Sequence, residues 1–226
     1  MKVIIFDASS LITFAMNGLL SELEDLKKIF KGKFVIPEEV RKEVIDKPLK
    51  IKRFELEALQ IKRLLDNGTL EKPSVLNIND ADISQKTIEL MKIANKIFQG
   101  RGRDLHLISS GETSCLALSR ILDEKKIKNI IAVDERTTRM LGERPENLEK
   151  LLRKKLHTDV HFSKENFKFF EGFRFIRSSE LVYVMYKKGI IKLKDGELVL
   201  DALLYGVKYR GCAISDEEIR EIKRIA

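Results

Sequence analysis

Val3-Ile4-Ile5-Phe6-Asp7-Ala8-Ser9-Ser10 is an unbroken run of four apolar residues closed by an acid and then by small hydroxyl residues. A short apolar run without polar alternation suits a strand buried on both faces, the pattern of a parallel sheet. Ser9 or Ser10 then caps a helix whose apolar face begins with Leu11, Ile12 and Phe14. The same signature returns at Ile130-Ile131-Ala132-Val133-Asp134, the clearest buried strand of the chain. A shorter version, Phe34-Val35-Ile36, is stopped by Pro37, which opens a helix over Glu38 to Ile45. Phe173 to Ile176 reads as the last strand, with Ser178 and Ser179 capping a helix over Leu181 to Lys188.

Helical patterns fill the intervals. From about Leu49 to Phe98, apolar residues recur at three- and four-residue spacing, interrupted by a stop at Asn67-Gly68 and a link over Pro73 to Asn79. The last of these helices covers about Asp82 to Phe98. Gln99-Gly-Arg-Gly-Arg103 reads as a flexible basic loop. Ser109-Ser110-Gly111-Glu112 opens a strongly periodic helix through Leu122. Further helices are expected over Arg136 to Leu141, Leu148 to Leu156, Leu198 to Val207 and Asp216 to Ile225, and His161 to Phe175 reads as a hairpin or irregular cover. Strands alternating with helices give α/β architecture, with a parallel sheet covered on both sides.

The 226 residues include 43 basic and 35 acidic ones, a formal charge of +8. Folding a chain of this mass buries about 70% of its extended surface, enough for one good-sized core. No apolar run approaches the roughly 20 residues of a membrane span, and Asp7 interrupts what a signal peptide would need. The expectation is a soluble cytoplasmic protein, and the positive balance points to a polyanion partner, with RNA or DNA the commonest kind. Basic residues concentrate at Lys27-Lys28, at Arg101 and Arg103, and over Lys150 to Lys155. Cys115 and Cys212 read as buried thiols. His157 and His161 have the spacing of a helical metal pair, but in a segment that looks strand-like.

In open parallel sheets the working site lies outside the carboxyl ends of the strands. Asp7 and Asp134 each follow a strand, Glu112 stands in the first turn of a helix, and Glu43 lies one turn beyond Glu39. Carboxylates about 5 Å apart repel by roughly 3 kcal/mol per pair at an effective dielectric of about 20. Such a cluster persists when protonated or when offset by a divalent cation, and hard oxygen ligands favour Mg²⁺ or Mn²⁺. Each acid could instead cap a helix or face water, an account that suffices for Glu112 by itself. With a metal on a basic protein, phosphodiester hydrolysis is the natural reaction class.

Phe6-Asp7-Ala8-Ser9-Ser10-Leu11-Ile12, Ile36-Pro37-Glu38-Glu39-Val40-Arg41-Lys42-Glu43-Val44, Gly111-Glu112 with Leu116-Ala117-Leu118, and Val133-Asp134-Glu135-Arg136 with Arg139 resemble, in this order, the motifs of a PIN domain. Arg177-Ser178-Ser179-Glu180-Leu181 through Gly189-Ile190 is similar to the last strand and helix of the branch related to VapC-like toxins. The resemblance implies a Rossmann-like three-layer sandwich and a Mg²⁺- or Mn²⁺-dependent endoribonuclease. Asp7, Glu43, Glu112 and Asp134 would be catalytic, with Asp7, Glu112 and Asp134 on the metal. Ser9, Glu135 and Arg139 would support them, and Arg101 and Arg103 would bind RNA. It also implies a homodimer and, for a toxin, an antitoxin protein as partner. The whole chain, 1–226, would be one PIN-like domain with a helical insertion at about 49–103 and a C-terminal helical extension at about 190–226; the segment around 142–172 also looks inserted. Glu39 competes with Glu43 for the second position. The contrasting expectation is a catalytically inactive PIN-like module that binds RNA or protein. A haloacid-dehalogenase-type phosphatase would need an acid where Ser9 stands, a receiver domain lacks its paired acids here, and a G-x-G-x-x-G dinucleotide motif is absent.

Overall fold

The computed structural model describes residues 1–100, 103–143, 145–157 and 160–225. In chain order the elements begin with β1 (Lys2–Phe6), α1 (Ala8–Met16), α2 (Leu20–Ile29), β2 (Lys33–Val35) and α3 (Glu38–Arg41). Then come α4 (Glu55–Asp66), α5 (Asp80–Ala94), β3 (Phe98–Gly100), β4 (Arg103–Asp104), α6 (Ser110–Glu124) and β5 (Lys128–Ala132). The remainder is α7 (Arg136–Glu143), α8 (Pro145–Leu156), β6 (Val160–Phe162), α9 (Lys164–Phe167), β7 (Phe175–Ile176), α10 (Ser178–Lys187), α11 (Glu197–Tyr209) and α12 (Asp216–Arg224).

β2, β1, β5 and β7 lie side by side in that order, all parallel, with Ile4 opposite Phe34 and Ile130 and with Ala132 opposite Ile176. The unbroken apolar runs are explained by helices on both faces. Successive strand residues point to opposite faces. On one face Asn129 is held by the Ser119 hydroxyl of α6 at 2.6 Å. On the other, Ile4 and Ile130 face Leu26 of α2 and Leu181 and Val184 of α10. The chain is therefore α/β, with a central parallel sheet flanked by helices. Burying one such Leu or Ile side chain contributes about 1.5–3 kcal/mol, so the run in β1 (Val3 to Phe6, all buried) is a principal source of stability.

Several sequence expectations are corrected. The helix expected to reach Phe98 ends at Ala94, and Phe98 begins β3. Of the expected basic loop at 99–103, Gln99, Gly100 and Arg103 belong instead to an antiparallel pair, β3 with β4, in which Gly100 faces Arg103, while 101 and 102 lie outside the described residues. β3 also pairs antiparallel with β6, Phe98 opposite Phe162. The two segments that looked like separate insertions, 49–103 and 142–172, thus join in one small sheet. His161 lies in β6, in keeping with the strand-like look of its segment, so it does not share a helix with His157. Ser9 and Ser10 do not cap α1, because Asp7 does, accepting from the Ser9 amide at 3.0 Å. Ser178 and Ser179 lie inside the first turn of α10, whose N-cap is Arg177, its amide donating to Glu180 Oε2 at 2.6 Å.

The helix expected over Glu38 to Ile45 changes character partway. After α3 the chain passes through one π-helical turn, Lys42–Asp46, closed by the Lys47 amide donating to the Lys42 carbonyl. Such widened turns are rare and are frequent at functional sites. Glu43 lies in this one.

Candidate active site

Parallel strands place their carboxyl ends at a single edge, so α1, α3, α7 and α10 all begin where β1, β2, β5 and β7 finish. The N-terminus of α6 lies beside the same edge, since Ser110 and Ser114 share a pocket with Pro37, Glu38 and Glu39. Asp7, Glu112 and Asp134 are 2%, 9% and 0% exposed. Acids buried this deeply are rare without a partner.

Asp7 and Asp134 are tied together through Ser9. The Ser9 hydroxyl donates to Asp7 Oδ2 at 2.5 Å and accepts from the Asp134 amide at 3.0 Å. Glu112 is fixed by both its oxygens. Oε2 accepts from the Ser109 amide at 2.6 Å in a capping box, and Oε1 accepts from the Thr138 hydroxyl at 2.7 Å. Glu43 leans over Gly111, whose amide hydrogen-bonds to it. A Cβ at position 111 would fall 2.6 Å from Glu43 Oε2, so glycine there gives the carboxylate its room.

The electrostatics group these acids. Burial, and then the Glu112 charge, raises the Asp7 pKa to about 7 despite the Ser9 hydrogen bonds. Burial also pushes Glu43 upward, with Lys47 and the Gly111 amide opposing and Glu112 adding. The Cys115 thiol, buried and bonded to the Phe6 carbonyl, is raised well above its ordinary range by burial and by Asp7, Glu112 and Glu43. All three acids thus act electrostatically on the one thiol. Asp134 has an anchor of its own. Its Oδ1 accepts from the Ser178 amide at 2.7 Å, and its charge, after burial, helps to raise Cys212 to about 12.

Three of the four acids thus do hold helix N-termini, as the plainer sequence account allowed. Their second oxygens separate the two accounts. Asp7 Oδ1 and Asp134 Oδ2 are buried with no hydrogen-bond partner. Leaving such an atom unpaired costs about 1–3 kcal/mol, more when it is charged. Among the described residues none of the four acids forms an ion pair with Lys or Arg. Among those residues, too, no three His, Cys, Asp or Glu side chains already stand as a group that could hold a metal ion.

The supporting residues are distributed differently from the expectation. Glu135 does not join the acids, because both its oxygens bind the first turn of α7 through Thr137 and Thr138. Arg139 donates to the Ala213 carbonyl at 3.0 Å, clasping the C-terminal segment to the edge. The Ala213 amide in turn donates to the Asp134 carbonyl. Glu39 pairs with Lys42 at 2.8 Å, and its charge still adds to the upward push on Glu43. Arg103 is exposed on β4, and Arg101 lies outside the described residues. Thr138, Gly111 and Ser178 were not foreseen as partners of the acids. Only Gly111, a glycine in the first turn of a periodic helix, carried a signal in the sequence. Comparison of the chain with protein-family models, with curated proteins and with solved structures finds no match.

Proposed function

We propose that this chain is a metal-dependent endoribonuclease of PIN-like architecture, with Asp7, Glu112 and Asp134 holding Mg²⁺ or Mn²⁺ and Glu43 as the fourth acid of the site. The observation that carries the reading is the state of Asp7: a fully buried carboxyl with one oxygen unpartnered, beside a second acid, and with no Lys or Arg paired to it among the described residues of a basic chain. A residue serving only as a helix cap needs neither that burial nor that neighbour. The donor set is all hard oxygen, which fits Mg²⁺ or Mn²⁺ and not a soft metal.

A divalent ion bound there would supply Lewis acidity toward a phosphoryl oxygen and a water of lowered pKa. The chain's own residues do the rest. Ser9 and Thr138 fix the orientations of Asp7 and Glu112 through their hydroxyls. Glu43, half-buried and pushed upward in pKa by that burial, is a stronger base than an exposed carboxylate and is suited to accept a proton from an attacking water. Exposed basic side chains on α8 (Lys150, Lys154, Lys155) and Arg103 on β4 would attract the phosphate backbone without reading its sequence. The RNA substrate, any antitoxin partner and a homodimer belong to this proposal. Separately, no helix among the described residues is long and apolar enough to cross a membrane.

The test is cleavage of single-stranded RNA with Mn²⁺, with and without chelator, by wild type and Asp7→Asn. Expected are chelator-sensitive cleavage by the wild type and a loss of at least about a hundredfold in the variant. Equal cleavage by both proteins would place the activity elsewhere. A wild type that binds RNA yet cuts nothing would make the chain a binding module.

A further inference from the structure

Beside the carboxylates lies a pocket of about 210 Å³ that the proposed hydrolysis does not use. It is bounded by α3 and α6, the helices that lead to Glu43 and Glu112, and by α5, which the sequence placed in an insertion. Its volume falls below the roughly 300–1,000 Å³ of sites for drug-sized ligands, so its occupant is about one heteroaromatic ring system.

The lining is chemically divided. Ile83, Ile88 and Met91 of α5 form an apolar wall, while Ser84, Ser110 and Glu39 offer polar atoms. Its acids exclude a phosphate: Glu38, Glu39 and Asp80 all border the pocket. Both oxygens of Glu38 are held by Arg41, and one oxygen of Glu39 is held by Lys42. That leaves the second Glu39 oxygen, together with the Asp80 carboxylate, as an acceptor next to an apolar wall. Single-stranded RNA is read by splaying a base out, stacking it on side chains and bonding its edge.

We propose that this pocket takes one unstacked base of the RNA beside the cleavage position, and that Glu39 favours bases carrying an exocyclic amino group. The inference rests on the ribonuclease reading, and it converts the α5 insertion into a specificity element. Glu39, competing with Glu43 in the sequence, then has its own task one helical turn away.

The experiment is a titration of the full chain, labelled at Ile and Met methyl groups, with AMP, CMP, GMP, UMP and ribose 5-phosphate. Methyl signals of Ile83, Ile88 and Met91 are expected to shift saturably with at least one amino-bearing nucleotide, about fivefold or more tighter than with UMP. Ribose 5-phosphate should leave them unmoved. Ser84→Trp, at an exposed position on the pocket's rim, should abolish the response while the other methyl signals stay folded. Unmoved methyls, equal responses to all five probes, or a response that survives Ser84→Trp would overturn the pocket. RNA cleavage by the same preparations separates the two ideas. Methyl shifts without cleavage support the pocket and overturn the nuclease, whereas cleavage without methyl shifts does the reverse.

Discussion

Glu71 and Asp7 are carboxylates on the same sheet with opposite surroundings. Glu71 runs alongside β2, bridged to Val35, and its side chain is only 15% exposed. It receives Lys33 Nζ at 2.6 Å and Lys27 Nζ at 2.9 Å. Partial burial pushes its pKa upward, yet the two lysine hydrogen bonds prevail and hold it below the ordinary value. Asp7, one strand away, is buried more deeply, receives a hydroxyl and an amide, and rises to about 7. The chain carries eight more cations than anions, and still none of the described ones pairs with Asp7. Where the fold needs a carboxylate for structure it provides the counter-charge itself; at the strand ends it leaves that charge to a proton or to a ligand.

The largest effect that could break this contrast is a pH dependence. Asp7 has a folded pKa of about 7 against an ordinary 3.8, so between those values the native state holds a proton that the unfolded chain has lost. The stability it contributes is full below the unfolded value and is lost as pH rises through the folded one, by about 4 kcal/mol over the window. Urea unfolding of the metal-free protein at about pH 5 and about pH 8 should therefore show a steep fall for wild type and a flatter one for Asp7→Asn. Millimolar Mg²⁺ or Mn²⁺ should restore stability at the higher pH to the wild type only. Matching slopes in the two proteins would mean that Asp7 carries no uncompensated charge.

The unequal legibility of these features in the sequence has a physical basis. β1 and β5 are readable because burial on both faces demands unbroken apolar runs, and their ends place Asp7 and Asp134. β3, β4 and β6 are two or three residues long, with glycine and charged residues among them. So short a segment has no period, and its pairing is decided by neighbours distant in the chain. At the site, residue types were legible but their hydrogen bonds were not. Ser9 followed by an apolar face suggested a cap, whereas the stronger acceptor Asp7 takes the amide and leaves the Ser9 hydroxyl to link two acids. The choice between Glu39 and Glu43 depends on a π-helical turn and on Gly111, features that a regular helical projection misses.

A smaller effect sharpens the role of Glu43. In Gly111→Ala the new methyl group would meet the Glu43 carboxylate at 2.6 Å. That carboxylate is the end of a flexible side chain and can swing away, while alanine favours helix over glycine by about 0.5–1 kcal/mol. The expected variant melts no lower than wild type but cuts RNA about tenfold more slowly, because its proton acceptor is displaced. Undiminished cleavage with Glu43 displaced would remove it from the chemistry and leave untouched the proposal that Asp7, Glu112 and Asp134 hold a metal.

The smallest effect tests the other side of the contrast. Glu71→Gln keeps the shape and one acceptor but removes the charge that Lys27 and Lys33 share, an expected loss of about 1 kcal/mol at neutral pH. Because the folded pKa of Glu71 lies below its ordinary value of 4.5, its contribution is present above that value and is lost as pH falls through the folded one. The stability gap between wild type and Glu71→Gln should thus narrow on acidification from about pH 7 to about pH 3, as read by urea unfolding. This tilt opposes that of Asp7, which destabilises on the alkaline side. Both arise from one sheet and from one kind of side chain, so a common tilt would show that burial alone, and not the presence or absence of lysine, sets how these carboxyls behave.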